Sequence, residues 1–215
     1  MLRTASIRFA CAAAFAASLA APVPAARAQA TDYELDDGVV RFVCEGDGVV
    51  MPAWGRFGAV TSQLSFDPKD LARAKGHVEV LLASVRTEDS GWDLAFREAE
   101  FIGADEFPRS HFAIRSVTGP KVVQPLAWTQ ASLKGEFVLH GVSREVSVPA
   151  TIRHVPAQKD RPAEVYVRAY FRIHWDEYDL AVPKGMTRTF TGDGALIQVE
   201  LRFVARRPKP KKPAR

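Results

Sequence analysis

The segment from Ser132 to Arg153 alternates apolar and polar side chains on both sides of one short break at His140-Gly141. A period of two that continues over this many residues is typical of a β-hairpin with one buried face, and it does not fit the 3.6-residue period of a helix. We therefore expect two long antiparallel strands joined by a tight turn. The apolar positions predicted on the buried face are Leu133, Gly135, Phe137, Leu139, Val142, Val146, Val148, Ala150 and Ile152.

Similar segments recur along the chain, separated by turn signals rich in Gly, Pro and Asp. This arrangement predicts an all-β domain of about eight strands, folded as an antiparallel barrel or sandwich. Eight strands can close into a barrel whose interior is either packed or wide enough for one small ligand, and the period alone does not decide between them. The predicted strands are residues 33–43, 57–66, 78–85, 111–117, 128–139, 142–153, 165–174 and 195–203.

One segment, residues 90–101, has the spacing of a short helix. Its apolar residues Trp92, Ala95, Phe96 and Ala99 recur at helical intervals, and acidic residues come early. The proline that follows Phe107 ends the segment. We expect this helix to cover one end of the barrel.

Residues 1–28 have the features of a secretion signal peptide. Arg3 and Arg8 precede an apolar run, which ends before the small-residue motif Ala26-Arg27-Ala28. The apolar run of about 13 residues is shorter than the ~20 residues that span a bilayer. The sequence therefore predicts export to a periplasm or out of the cell, with the folded domain in residues 29–205.

The excess of basic residues comes from the two ends of the chain. Three of the 29 Lys and Arg residues lie in 1–28 and six lie in 206–215, which leaves 20 basic against 25 acidic residues in 29–205. An acidic body of this kind argues against a nucleic-acid partner. The proline-rich residues 206–215 are predicted to form a solvated, disordered tail. A weak attachment of this tail to an anionic membrane or envelope surface is the alternative, since each basic residue there contributes about 1 kcal/mol.

The sequence contains no local signature of catalysis. None of the five histidines has metal-ligand spacing, and no nucleophile elbow is present, so we expect no catalytic residue, no metal site and no cofactor. His140 is interpreted as a turn residue that satisfies backbone groups. Cys44, the single cysteine outside the predicted signal, is interpreted as a small buried apolar residue.

Four blocks of the sequence carry a resemblance to a known family. They are Gly55-Arg56-Phe57-Gly58 with Leu64-Ser65-Phe66-Asp67-Pro68, Val78-Glu79-Val80 with Ala83-Ser84-Val85-Arg86-Thr87, Phe101 with Phe107-Pro108 and Phe112, and the hairpin sequence L-H-G-V-S-R from Leu139. In this order they resemble the YceI-like, polyisoprenoid-binding proteins. This resemblance implies a lipocalin-like antiparallel barrel in an exported protein, and in some members the barrel holds a long isoprenoid or another lipid. The chain departs from the family pattern at residues 45–54 and 89–94, which lack the histidines usual there.

Together, the resemblance and the inward positions define a hypothesis for the binding site. The protein is expected to hold a long-chain apolar ligand, such as a polyisoprenoid, an isoprenoid quinone or a similar lipid, without catalysis. A barrel with a packed interior, acting as a structural or partner-binding envelope protein, is the alternative. The residues expected to form the apolar sleeve are Phe42, Phe57, Val80, Phe112, Phe137, Val148 and Phe171, and the polar end of the ligand is expected near Trp92 and Phe107.

Overall fold

The structure, a computed structural model, is mostly β-sheet. The predicted signal peptide lies outside the described residues, as do residues 207–215 of the predicted tail, so both stay predictions. None of the helices in the described part of the chain is long and apolar enough to cross a membrane. The structure describes residues 30–46, 48, 51–182 and 188–206.

Ten strands, two helices and three short 3-10 turns make up the described chain. The strands are β1 (Thr31–Cys44), β2 (Trp54–Phe57), β3 (Val60–Phe66), β4 (Lys75–Leu81), β5 (Val85–Arg86), β6 (Arg109–Thr118), β7 (Trp128–Leu139), β8 (Val142–Val155), β9 (Glu164–His174) and β10 (Gly194–Ala205). The helices are α1 (Ser90–Arg97) and α2 (Arg188–Thr191), and the 3-10 turns are Leu71–Arg73, Leu82–Ser84 and Trp175–Tyr178.

The strands close into a barrel. Antiparallel pairs run in the order β1, β3, β4, β6, β7, β8, β9 and β10, and β10 pairs back onto β1 from Tyr33 with Ala205 to Cys44 with Ala195. The short strands β2 and β5 extend the wall where β1 continues past β3. The antiparallel barrel of eight strands is therefore confirmed, and its closure gives each of these strands a partner on both sides over at least part of its length.

The hairpin that the alternation predicted is present as β7 and β8. The two strands pair from Trp128 with Arg153 to Leu139 with Val142. The turn between them has φ of 51° at His140 and 75° at Gly141, the two consecutive positive values that a tight two-residue hairpin turn requires. The tight turn therefore fixes the register that places the apolar positions predicted for the buried face on one side of the hairpin.

Two strands that the sequence predicted as continuous are interrupted. The predicted strand 57–66 breaks between β2 and β3, and the predicted strand 78–85 breaks at the 3-10 turn between β4 and β5. The Ser84 side chain joins the two breaks, since its hydroxyl donates to Leu81 O at 2.6 Å and accepts from Ala59 N at 3.0 Å. At both breaks the inward positions change between odd and even numbers, which one uninterrupted strand does not allow.

Helix α1 covers one end of the barrel, as predicted, but it is shorter than expected. The Asp89 carboxylate caps it by accepting from the backbone N–H groups of Gly91 at 2.7 Å and Trp92 at 3.0 Å. The helix ends at Arg97 rather than at 101. Phe101 folds beneath it instead, with its ring 5.2 Å from that of Phe96, so burial of this aromatic side chain outweighs a further helical turn.

The two ends of the barrel are closed by different elements. We call the end covered by α1, residues 98–107 and the 3-10 turn Trp175–Tyr178 the helix end. The opposite end, here called the tail end, is formed by residues 67–74, 119–127 and 156–163. Its two main loops are hydrogen-bonded to each other, from Leu71 N to Lys121 O at 2.9 Å and from Val123 N to Pro68 O at 2.8 Å.

Candidate functional site

An apolar cavity of about 130 Å³ lies inside the barrel. Almost all of its wall consists of aliphatic and aromatic side chains from the strands and from the helix end. The structure places seven of the predicted site residues on this wall, namely Phe42, Phe57, Val80, Phe112, Phe137, Val148 and Phe171.

Two glycines in the strands make room for aromatic rings against the wall. A Cβ atom added to Gly135 would lie 2.7 Å from the Phe112 ring, and one added to Gly55 would lie 2.8 Å from the Phe42 ring. Both distances are too short for any side chain, so the rings occupy the space above the glycines. The rings of Phe42 and Phe112 therefore lie directly against the backbone of these two glycines.

A second, smaller apolar cavity of about 50 Å³ continues the first one toward the tail end. The two cavities are neighbours, because they share five wall residues. The interior is therefore one apolar column that narrows where these side chains meet. The shared residues are Val78, Phe112, Leu133, Val167 and Leu201.

The helix end contributes wall residues that the predicted site did not include. A chain of aromatic contacts links the barrel wall to this cover, with ring centroids 4.9 Å apart for Phe42 and Phe96 and 5.2 Å apart for Phe101 and Trp175. Trp175 continues the odd-numbered inward positions of β9, a signal that the sequence contained. The wall residues from outside the strands are Leu82, Phe96, Phe101, Ile102, Trp175 and Leu180.

The other two predicted site residues lie in the cover, outside the wall of the main cavity. The ring of Trp92 is 5.4 Å from that of Phe190, and the ring of Phe107 stands edge-on to that of His140 at 4.8 Å. Neither residue lines either of the two internal cavities. Their contact with the polar end of a ligand stays a prediction.

His140 connects the hairpin turn to the helix end. Its two ring nitrogens lie 3.2 Å from the backbone oxygens of Ala99 and Tyr178, which belong to two different segments of the cover. A neutral imidazole carries one N–H, so the side chain donates to one of these two backbone oxygens, in agreement with its interpretation as a turn residue. It also holds the two segments of the cover beside the barrel wall.

The interior offers apolar contact rather than reactive groups. The Ser110 hydroxyl on the cavity wall donates to Val138 O at 2.8 Å, so it is already paired. Burial raises the pKa of the Cys44 thiol to about 12, with a smaller contribution from neighbouring Glu45, and the sulfur is therefore a neutral thiol near pH 7. In the described ranges no group of three or more His, Cys, Asp or Glu residues could hold a metal ion.

The wall of the barrel is slit on one side, near the helix end. Strands β8 and β9 pair only from Ala150–Val155 to Glu164–Ala169, and over residues 142–149 and 170–174 no pairing joins them in the described structure. We call this gap the β8/β9 seam. The half-buried side chains of Val146 and Phe171 lie on its two sides.

Arg144 crosses the β8/β9 seam at its outer end. Its Nε donates to the backbone oxygen of Glu177, and its guanidinium group lies 5.7 Å from the centre of the Tyr178 ring. Both partners belong to the 3-10 turn that follows β9. The side chain therefore bridges the two sides where the strands themselves do not.

A closed antiparallel barrel of eight strands with an apolar interior and covered ends is a lipocalin-like barrel. The profile of the YceI-like domain matches residues 33–204, and the chain belongs to the YceI-like family. No protein with a curated description matches the sequence significantly.

Solved structures with the same fold come from several bacteria. BcnA from Burkholderia cenocepacia is similar with a TM-score of 0.63 and 18% identity, over 77% of this chain and 95% of that protein. A polyisoprenoid-binding domain from Saccharophagus degradans, implicated in plant cell wall breakdown, is similar with a TM-score of 0.62 and 14% identity, over 81% of this chain and 98% of that protein. The Campylobacter jejuni YceI protein is similar with a TM-score of 0.60 and 20% identity, over 71% of this chain and 85% of that protein.

Proposed function

We propose that this protein is an exported, non-catalytic lipid-binding protein that holds the apolar chain of a polyisoprenoid, an isoprenoid quinone or a similar lipid inside the barrel. The observation that carries the proposal is the apolar column between the two covers, in which the Ser110 hydroxyl is already paired with a backbone oxygen. Membership of the YceI-like family and the fold shared with a polyisoprenoid-binding domain support the same ligand class.

Burial of the chain supplies the affinity in this proposal. Each CH₂ group removed from water contributes about 0.8 kcal/mol, so one five-carbon isoprene unit contributes about 4 kcal/mol. That energy corresponds to roughly a thousandfold in the dissociation constant. A chain of several such units needs few polar contacts, which agrees with a wall that offers few.

The size of the cavity sets a condition on this proposal. An engineered apolar cavity of about 150 Å³ holds one benzene molecule, so the main cavity in its present shape takes roughly one isoprene unit. A longer chain requires wall side chains to move outward. Phe57, Phe112 and Phe171 are only partly buried although they line the cavity, so they have the space to do this.

The small cavity volume also favours a second candidate function. In this alternative the barrel binds no lipid, and the loops serve as a structural or partner-binding surface of the cell envelope. The two functions differ in one observable property, since a carrier purified from its source contains a stoichiometric lipid and a packed barrel does not.

Native mass spectrometry of the purified protein, followed by denaturing extraction of any bound molecule, tests the proposal. A stoichiometric apolar mass supports the carrier and identifies its ligand class. A bare polypeptide mass that persists after incubation with isoprenoid quinones and fatty acyl lipids contradicts it and favours the packed barrel.

Export forms the second half of the proposal and rests on residues 1–28. We expect the protein in the periplasmic or extracellular fraction, with its N-terminus near residue 29. Fractionation of cells and N-terminal sequencing of the purified protein test this. A protein recovered intact from Met1 in the cytoplasm would contradict it.

A further inference from the structure

The two ends of the barrel carry opposite charge. At the helix end, residues 90–107 contain five acidic residues and one basic residue, and residues 175–178 contain two acidic residues and no basic one. The three loop segments of the tail end contain five basic residues and three acidic ones. Of those three, Asp67 is buried and accepts from the Lys69 backbone N–H, so it adds little to the outer surface.

The basic residues that follow the barrel leave from this same end. Strand β10 finishes at Ala205, which pairs with Tyr33 in β1. The next residue, Arg206, donates its backbone N–H to Asp32 O at 2.9 Å and pairs with Glu34. Residues 207–215 continue from there and add five basic residues with no acidic one. The chain therefore leaves the barrel at the tail end, and the residues that follow in the sequence carry further positive charge.

An apolar patch lies among these charges. Leu126 is 58% exposed and Trp128 is 40% exposed, and Val122 on the same loop is exposed as well. The backbone holds Leu126 in this position, since its φ is 65° and its N–H donates to His154 O at 2.8 Å. Beneath the loop Val123 is fully buried, so the loop is anchored while its outer side chains face solvent.

Exposed apolar side chains surrounded by Lys and Arg are the composition of an interfacial membrane-binding surface. The apolar groups enter the boundary between headgroups and acyl chains, and the cations pair with anionic lipid. Trp128 also has the amphipathic ring that is enriched at this depth, and Arg168 stacks on it with its guanidinium carbon 4.6 Å from the ring centre.

We propose that the protein docks on an anionic phospholipid bilayer by its tail end, with Leu126 and Trp128 inserted and the positive charge of residues 207–215 adding to the attraction. The acidic helix end then faces away from the membrane. Leu94 at that end is 65% exposed, but the acidic residues of the segment around it repel an anionic surface. This surface is separate from the barrel interior, so the proposal goes beyond lipid binding in the cavity.

Co-sedimentation of the purified protein with vesicles tests the docking. We expect binding to vesicles of phosphatidylglycerol and phosphatidylethanolamine, at least tenfold weaker binding to phosphatidylcholine, and loss of binding in 0.5 M salt. Truncation after Arg206 should weaken binding at least tenfold. Leu126→Ser with Trp128→Ser should weaken it at least fivefold, whereas the matched control Leu94→Ser should leave it unchanged.

Each alternative outcome overturns the proposal in a distinct way. Equal binding to phosphatidylcholine, or none to either vesicle, excludes an anionic bilayer as the partner. A truncation that abolishes binding, together with a Leu126→Ser/Trp128→Ser variant that binds normally, reduces the contact to the tail alone. Equal losses in that variant and in Leu94→Ser exclude an oriented surface. Thermal unfolding verifies that each variant is folded, and native mass spectrometry of the same samples reports separately on the cavity.

Discussion

Replacing Val148 with Trp tests whether the barrel interior has unfilled space at this position. Val148 is 3% exposed and lines the main cavity, whereas Val85 is 0% exposed, belongs to the core cluster at the helix end and lines neither internal cavity. Extra atoms forced into a packed core cost about 1–3 kcal/mol. At position 148 the added ring has a cavity of about 130 Å³ to enter. We therefore expect a cost below about 1 kcal/mol there and about 3 kcal/mol for Val85→Trp.

These energies convert into distinct melting temperatures. For a domain of this size, 1 kcal/mol corresponds to about 2–4 °C, so Val148→Trp should lower Tm by less than about 4 °C and Val85→Trp by about 6–12 °C. The same ring should also displace the ligand. Excluding one isoprene unit from the cavity removes about 4 kcal/mol of burial, which weakens lipid binding by up to roughly a thousandfold.

Differential scanning calorimetry and lipid titration of the two variants measure both effects. The reasoning requires a small Tm change with a loss of lipid binding of at least tenfold in Val148→Trp. If both variants lose the same Tm, the interior at position 148 is as tightly packed as that at position 85, and the cavity is no binding site. Normal lipid affinity in a stable Val148→Trp protein would likewise refute the assignment.

Three further predictions concern the thiol, the helix cap and the seam. Because Cys44 is buried with a pKa of about 12, it should react with a disulfide reagent only after unfolding. The free energy of unfolding should also fall as pH rises from about 9 toward 12, because the thiol ionises more readily in the unfolded chain, and Cys44→Ala should reduce this fall. A thiol that reacts at once in the folded protein would contradict this. Asp89→Ala removes the cap of α1 and should cost about 1 kcal/mol, whereas Asp89→Asn should cost less, as urea unfolding will show. Arg144→Ala removes the bridge across the β8/β9 seam and should raise the lipid dissociation rate several-fold in stopped-flow measurements, while the exposed Arg41→Ala should not.

The alternation of side chains predicted the barrel because strand faces follow from a period of two. The period of two was sufficient to predict β7 and β8, where the alternation continues without interruption up to the turn.

The breaks between β2 and β3 and between β4 and β5 also left a signal in the sequence. Phe57 and Val60 both point inward although one number is odd and the other even, and the same change occurs between Leu82 and Val85. A strand with such a change must contain a bulge or a break.

The candidate site was predicted only in part, for a physical reason. The period identifies which side chains point inward, but the volume they leave unfilled depends on rotamers and on backbone approach. The ring positions above Gly55 and Gly135 illustrate this, since the available space depends on the partner strand. Trp175 and Leu180 were missed because they lie in and after the 3-10 turn that follows β9, outside the predicted strand 165–174.

The β8/β9 seam allows the barrel wall to open on one side without breaking a continuous ring of paired strands. A closed ring of paired strands widens only when backbone hydrogen bonds break, whereas the two sides of the seam are joined by side chains, among them the Arg144 bridge. Flexing at the slit therefore leaves the ladders of the other strand pairs intact. The rate of ligand exchange through the seam then does not depend on the free energy of global unfolding. A variant can therefore melt at a higher temperature and still exchange its ligand as fast as the natural chain.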